Sequence, residues 1–188
     1  MSQCGEDQWI LENLKPDRGI FFEVGSFDGI QSSNTLAFED LGWTGVLVEA
    51  DPFLACKSQE TRAAITICGA ASNYDGFCGF DINLSDRGLS GTQVWPFPDR
   101  HRHIRVPCFR LQTLIDWHYQ KCDFLSIDTE GTELIVWDGI GPYRPKIVMM
   151  EYQTCDNPPQ DKRIIDVMTR HSYTLRHTTK YNLILTRD

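Results

Sequence analysis

A chain of 188 residues suits one domain, at a rough prior of 100–200 residues per domain, and its 41% hydrophobic and 23% charged content is ordinary for a soluble globular protein. A formal net charge of −8 argues against general, charge-driven binding to nucleic acid, because phosphates would be repelled, although a local basic site remains compatible with it. The seven cysteines (Cys4, Cys56, Cys68, Cys78, Cys108, Cys122 and Cys155) form no C-x-x-C pair, which argues against zinc and for reduced thiols in a cytoplasm. Cys68 and Cys108 lie in apolar runs, where a thiol behaves as a small buried hydrophobe. No signal peptide precedes the first residues, and no apolar run approaches the roughly 18 residues that span a membrane.

In chain order, residues 6–14 (EDQWILENL) predict a helix, with Trp9, Ile10 and Leu14 near one face and Pro16 stopping it. Strand-like runs follow at 19–25, 45–49 (GVLVE) and 64–68 (AITIC). Between them lie a helix over 34–41, closed by Gly42, and a short helix opened by Pro52. Residues 74–84 alternate weakly around two glycines and suggest a hairpin, and 85–105 reads as a long loop. A helix over 111–118, a strand over 122–127 (CDFLSI) and a helix over 132–138 come next. The chain continues with a strand over 146–150 (KIVMM), a helix over 161–171 and two final strands, 173–177 and 181–186, joined as an antiparallel hairpin. Strands alternating with helices imply an α/β fold with a parallel sheet and helices on both faces. Four of the strands are near-continuous apolar runs, as expected of strands buried on both sides.

The stretch FFEVGSFDGIQSSNT, residues 21–35, is a strand running into a glycine turn. A dinucleotide site wants G-x-G-x-x-G, so that backbone N–H groups meet a pyrophosphate. Here the turn holds only Gly25 and Gly29, flanked by the carboxylates Glu23 and Asp28. Those acids suit S-adenosylmethionine (SAM), which carries a sulfonium and an ammonium group and no phosphate. The alternative is an ordinary strand-to-helix turn with no ligand. Glu49 ends the second strand 24 positions after Gly25, an offset at which an acid hydrogen-bonds a ribose diol. Ala50 and Asp51 follow it, and the small residues of CGAAS, with Ala70 and Ala71, leave room for a flat adenine ring.

A second cluster of acids ends later strands. SIDTEGTE holds Asp128, Glu130 and Glu133, and MMEY holds Glu151. In a sheet ordered 3-2-1-4-5, Asp128 faces the same crevice as Gly25, with Glu151 one strand over. Asp128 or Glu151 suits a general base, and Asp128, Glu130 and Glu151 suit a magnesium site, with Asp128 and Glu151 the principal ligands. Glu133 fits better as a cap on the following helix.

The ordered set SQCGEDQWI, FFEVGSFDG, SNT, GWTGVLVEADP, GAAS, GLSG, VPCFRLQTLID, FLSIDTEGTELIVWDG and IVMMEY resembles the FkbM family of SAM-dependent methyltransferases. The resemblance implies a class I methyltransferase (Rossmann-like) fold with a mostly parallel seven-stranded sheet and a C-terminal antiparallel hairpin. It implies SAM as donor and usually O-methylation of a hydroxyl on a sugar or small metabolite. Glu23, Gly25, Ser26, Asp28 and Gly29 then belong to the cofactor turn. Ser33, Asn34 and Thr35 match the family's SNT, Glu49 its ribose acid, and Asp128, Glu130 and Gly131 its D-x-E-G motif. Gln3 and Glu6 match an N-terminal motif that either closes over the cofactor or caps the first helix. The loop 85–105 holds Arg87, Arg100, Arg102, Arg105, His101 and His103 with Trp95 and Phe97 interleaved. It reads as a substrate lid, as an RNA contact over 87–105, or as a solvated loop. The alternatives to a small-molecule or glycan O-methyltransferase are an RNA 2′-O-methyltransferase and a catalytically inactive interaction module of the same fold.

Overall fold

The apolar runs become strands because both of their faces are covered. In β1 (Ile20–Val24), Phe21 faces one hydrophobic cluster while Phe22 and Val24 face another. The same alternation runs through β2 (Thr44–Glu49), β7 (Phe124–Ile127), β8 (Ile147–Glu151) and β10 (Asn182–Thr186). Helices α1 (Glu6–Asn13) and α2 (Leu36–Asp40) cover the first face through Ile10 and Phe38. Helices α4 (Leu111–His118), α5 (Glu133–Asp138) and α6 (Asp161–Arg170) cover the second through Leu111, Leu114, Val136, Ile164 and Met168. Phe21 and Phe22 are wholly buried, each contributing about 1.5–3 kcal/mol. The computed structural model describes residues 2–92, 101–153 and 160–187.

With β3 (Ile65–Cys68) and β9 (Thr174–Thr178), these strands form a seven-stranded sheet ordered β3-β2-β1-β7-β8-β10-β9. The first five run parallel, and β10 lies antiparallel to both β8 and β9. This is the expected order, and the terminal hairpin sits where the resemblance put it. Helix α3 (Pro52–Thr61) packs on β2 and β3, with Pro52 at its first turn and Asp51 accepting from the Phe53 N–H as N-cap.

Three expectations change. Residues 74–84 are not a hairpin: β5 (Gly76–Asn83) is one strand, paired antiparallel with β6 (His101–Arg110). With β4 (Ala70–Ser72) they make a second, three-stranded sheet ordered β4-β6-β5. Of the supposed loop, residues 101–105 are strand. Their polar, basic composition hid them, since His101, Arg102, His103 and Arg105 are all exposed and only Ile104 and Val106 begin to pack inward. Finally, Cys68 is exposed where Cys108 is buried, because β3 is the sheet's edge. Among the described residues no helix is long and apolar enough to cross a membrane.

The ends of β1 and β7 meet at backbone level. The Asp128 N–H donates to the Val24 carbonyl at 3.0 Å, and the Gly25 N–H to the Val48 carbonyl at 2.9 Å. Gly25 has φ 81°, and a Cβ there would overlap the Asp128 carbonyl oxygen. Gly25→Ala is therefore expected to lower stability by about 2 kcal/mol or more, from left-handed backbone strain and overlap with main chain that has no rotamer to yield. Urea unfolding of the two proteins measures this.

Candidate functional site

A cavity of about 320 Å³ opens at the carboxyl ends of β1, β2, β7 and β8, within the range of roughly 300–1,000 Å³ typical of ligand clefts. It is where an open α/β sheet places its ligand, at the point where strand order reverses. Of the residues singled out from sequence, Glu23, Gly25, Ser26, Asn34, Glu49, Ala50, Ala70, Ala71, Asp128, Glu130 and Glu151 line it. Asp28, Gly29, Ser33, Thr35 and Asp51 are not among its lining residues. They hold the wall from behind. Asp28 accepts from the Ile30 and Gln31 N–H groups at 3.0 and 2.7 Å.

The backing of that wall is a buried ionic network. Glu23 accepts from the Ser33 hydroxyl at 3.0 Å, the Asn34 N–H at 2.7 Å and the Thr35 hydroxyl. Arg62, at the end of α3, donates to the Gly29 carbonyl at 2.8 Å, to Ser33 Oγ at 3.0 Å and to Thr35 Oγ1 at 3.0 Å. It also pairs with Glu39 at 3.2 Å and Glu23 at 3.7 Å. Burial pushes the Glu23 carboxyl up from its ordinary value, opposed by the Thr35, Asn34, Arg62 and Ser33 contacts. SNT is thus a clamp for Glu23, and only its Asn34 reaches the cavity, with Nδ2 on Ser126 Oγ at 3.2 Å. Arg62 was not singled out in the sequence, because its partners lie 23 to 39 positions upstream and no local pattern marks it. Arg62→Met is expected to cost about 3–5 kcal/mol, because it leaves the buried Glu23 carboxylate without its cation and strips the half-buried Glu39 of its ion pair. Denaturant titration tests it.

Glu49 is at the cavity's second-strand side. Its Oε2 accepts from the Phe27 N–H at 2.9 Å and its Oε1 from the Asp51 N–H at 2.8 Å. Burial pushes its carboxyl up to about 7, against those N–H donors and with help from the charge of Asp51. Small residues adjoin it: Ala50, Gly69, Ala70 and Ala71, facing Phe80 from β5. Gln3 and Tyr181 line the cavity as well. Glu6 tethers their segments: its Oε1 accepts from Thr179 Oγ1 at 2.7 Å and Asn182 Nδ2 at 3.0 Å.

At the ends of β7 and β8, the fourth and fifth parallel strands, stands the carboxylate group. One oxygen each of Asp128, Glu130 and Glu151 lie within 4.8 Å of one another. Burial raises Asp128 to about 7, and burial followed by the charges of Asp128 and Glu130 raises Glu151 further. Each carboxyl acts on the other's proton affinity, so their titration belongs to the pair and to neither residue alone. Glu133 is apart from this: its Oε1 accepts from Thr129 N–H at 3.1 Å and Gly131 N–H at 2.9 Å, holding the turn before α5 as expected of a cap. Two buried polar atoms of lining residues, Ser26 Oγ and Glu151 Oε2, have no hydrogen-bond partner among the described residues. Phe27, Ser32 and Glu130, all lining the cavity, have φ of 53–57°, at a cost on the order of 1–3 kcal/mol each. Such strain, with orphaned polar atoms, marks a surface shaped for a ligand.

Of the basic loop, residues 86–92 line the cavity, including Arg87, which pairs with Asp51. Arg105 lies over the Phe77 ring, and His103 Nδ1 is 2.8 Å from Asp81. Trp95, Phe97 and Arg100 lie outside the described residues.

The profile of the Methyltransferase FkbM domain family matches residues 23–175. The chain belongs to that family. The FkbM domain match covers the glycine turn, Glu49, the small residues and the carboxylate group alike. Among solved structures, the FkbM methyltransferase of Methylobacillus flagellatus KT aligns with TM-score 0.56 and 14% identity over 96% of this chain and 47% of that one. This FkbM chain thus spans about half the length of that relative. A precorrin-6y C5,15-methyltransferase of Geobacter metallireducens GS-15 aligns with TM-score 0.54 and 10% identity, covering 96% and 88% of the two chains. A TehB-like SAM-dependent methyltransferase of Corynebacterium glutamicum ATCC 13032 Kitasato aligns with TM-score 0.52 and 11% identity, covering 100% and 89%. At these identities the structures establish the class I methyltransferase fold. No curated protein matches the sequence significantly.

The raised carboxyls set a pH dependence for the ligand-free FkbM domain. Glu49 and Asp128 bind protons in the folded state up to about pH 7, and in the unfolded state only up to their ordinary values of 4.5 and 3.8. Between those limits the folded state holds more protons, so stability falls as pH rises, by on the order of 1.4 kcal/mol per pH unit per group. Urea midpoints at pH 5.5 and pH 8 are expected to be higher at the lower pH, and Glu49→Gln to flatten the profile.

Proposed function

We propose that the cavity holds SAM and that the chain moves its methyl group to a hydroxyl oxygen of a small-molecule or glycan acceptor. The observation that carries this is the pairing of two carboxylate sites in one cleft: Glu49 beside small residues, and Asp128 with Glu151 at the neighbouring strand ends. The residues present fit the donor. Ser26 Oγ is a buried hydroxyl without a partner, and the wall that faces it is acidic, which favours a cation over a pyrophosphate. Glu49 would hold the ribose hydroxyls, each of its oxygens having a lone pair beyond the N–H it already accepts. Gly25 and Ser26 would lie along the aminoacyl part, and Ala70 and Ala71 against the base. When bound, SAM supplies an electrophilic methyl group on its sulfonium.

The chain's own chemistry is then the proton. Asp128 and Glu151 titrate as a pair, and in its ionised form the Asp128 carboxylate accepts the acceptor's hydroxyl proton as the oxygen becomes nucleophilic. Burial supports this role, since a carboxylate near pKa 7 is a stronger base than an exposed one. The short distances among Asp128, Glu130 and Glu151 also favour a second form of the same site, in which these oxygens hold a divalent cation such as magnesium that binds the acceptor oxygen.

Calorimetry with SAM and S-adenosylhomocysteine tests the donor. Binding is expected for the unaltered chain and a loss of about 100-fold or more for Glu49→Ala, which removes charge-assisted bonds worth roughly 1.5–3 kcal/mol each. No binding by the unaltered chain would sink the proposal. Asp128→Asn is expected to keep SAM binding while lowering methyl transfer about 100-fold or more. Turnover that survives a chelator supports the proton pair; turnover lost with a chelator and restored by magnesium supports the cation.

A further inference from the structure

Residues 84–92 follow β5 and turn back over the cavity, and 86–92 all line it. The root of this segment is fixed. Asp81 and Gly91 exchange N–H···O bonds of 2.9 and 3.2 Å, and Ser90 Oγ accepts from the Asn83 N–H at 3.0 Å. Asn83 Oδ1 accepts from the Ser85 and Asp86 N–H groups at 2.9 and 3.1 Å, and Asp86 Oδ1 from the Gly88 N–H at 3.1 Å. The segment is thus a preformed flap.

Across the cleft the flap is held by Arg87. Its guanidinium pairs with Asp51 Oδ2 and lies 4.7 Å from the centroid of the Phe53 ring. Asp51 is 1% exposed, and its other oxygen is committed to the Phe53 N–H as the N-cap of α3. Arg87 is therefore the counter-charge of a buried carboxylate two residues beyond Glu49. It is itself about one third exposed, so the contact can break without unfolding anything beneath it. Asp51 and the Phe53 ring together occupy the Arg87 guanidinium.

We propose that Arg87 is a positioning residue: its ion pair with Asp51 latches residues 86–92 over the nucleoside end of the cleft and sets how long the cofactor stays. The proposal rests on the assignment of this cavity to SAM. Breaking the pair exposes the Glu49 side of the cleft and leaves Asp51 as an uncompensated negative charge there. Both effects act on the escape of a bound nucleoside more than on its arrival, because truncating one partner of a desolvated charge pair acts mainly through the dissociation rate.

The test uses the full chain, S-adenosylhomocysteine as probe, and the variants Arg87→Ala and Arg87→Lys. Stopped-flow displacement is expected to show release roughly tenfold faster for Arg87→Ala, a change typical of coupling between a closure contact and a ligand. Association should change little, while the urea midpoint should fall, because buried Asp51 loses its counter-charge. Arg87→Lys keeps the charge but loses the planar stack on Phe53, so its release rate should fall between the two. An unchanged release rate in Arg87→Ala would overturn the proposal. Hydrogen exchange on the ligand-free proteins gives a readout that does not need the cofactor. Arg87→Ala should raise amide exchange in 86–92 by more than in the seven-stranded sheet, and equal exchange in 86–92 in both proteins would overturn the latch. If the unaltered chain binds no S-adenosylhomocysteine, the cofactor assignment fails, and the exchange result still decides whether the latch exists.

Discussion

Everything at the site depends on one close approach, the backbone contact between Gly25 and Asp128. Two parallel strands whose ends touch cannot both carry side chains at that point, and a Cβ on Gly25 would occupy the Asp128 carbonyl. The contact brings the turn after β1 and the turn after β7 into one wall. Glu49 lies on one side of that wall, and Asp128 with Glu151 on the other. The buried Arg62 network holds the same turn from behind through Gly29, Ser33 and Thr35. The glycine is there for room, and the arginine for fixity.

That wall is expensive to keep. Three non-glycine residues with left-handed backbone and at least four buried carboxyls with raised proton affinity stand around one cavity. The sheet offsets this with side chains such as Phe21, Phe22, Phe124 and Leu125, all wholly buried. A core of that kind does not need its strand ends to be optimal. The strain and the acidity are tolerable at the carboxyl edge because the hydrophobic stabilisation lies in the middle of the strands.

The seven-stranded sheet was legible because its strands are buried on both faces and so read as unbroken apolar runs. The carboxyl-end acids were legible because strand order places them. The second sheet was not. β5 and β6 bury one face only, and residues 101–105 alternate basic with apolar or basic side chains, which resembles a loop when read one position at a time. Their pairing joins Asn83 to His101 across the intervening segment, a distance no local pattern carries. SNT was legible as a motif but not in its role. Its backbone and hydroxyls serve Glu23, whose carboxylate is turned to them and to Arg62. Arg62 itself gave no signal, since an arginine after a helix is usually solvated, and its burial follows from Glu23 and Glu39 lying beneath it.

Glu6 has a consequence for how the molecule is made. Its bonds to Thr179 and Asn182 span 173 and 176 positions, almost the whole chain. During synthesis β1, β2, β7 and β8 can pair before the last residues appear, but Gln3 and Tyr181 cannot be brought to the cavity together until β10 has docked beside β8. Contacts of such separation form late and slowly, after their loop-closure entropy has been met by earlier pairing. Until the final hairpin folds, the cleft therefore lacks the wall that Gln3 and Tyr181 together give it.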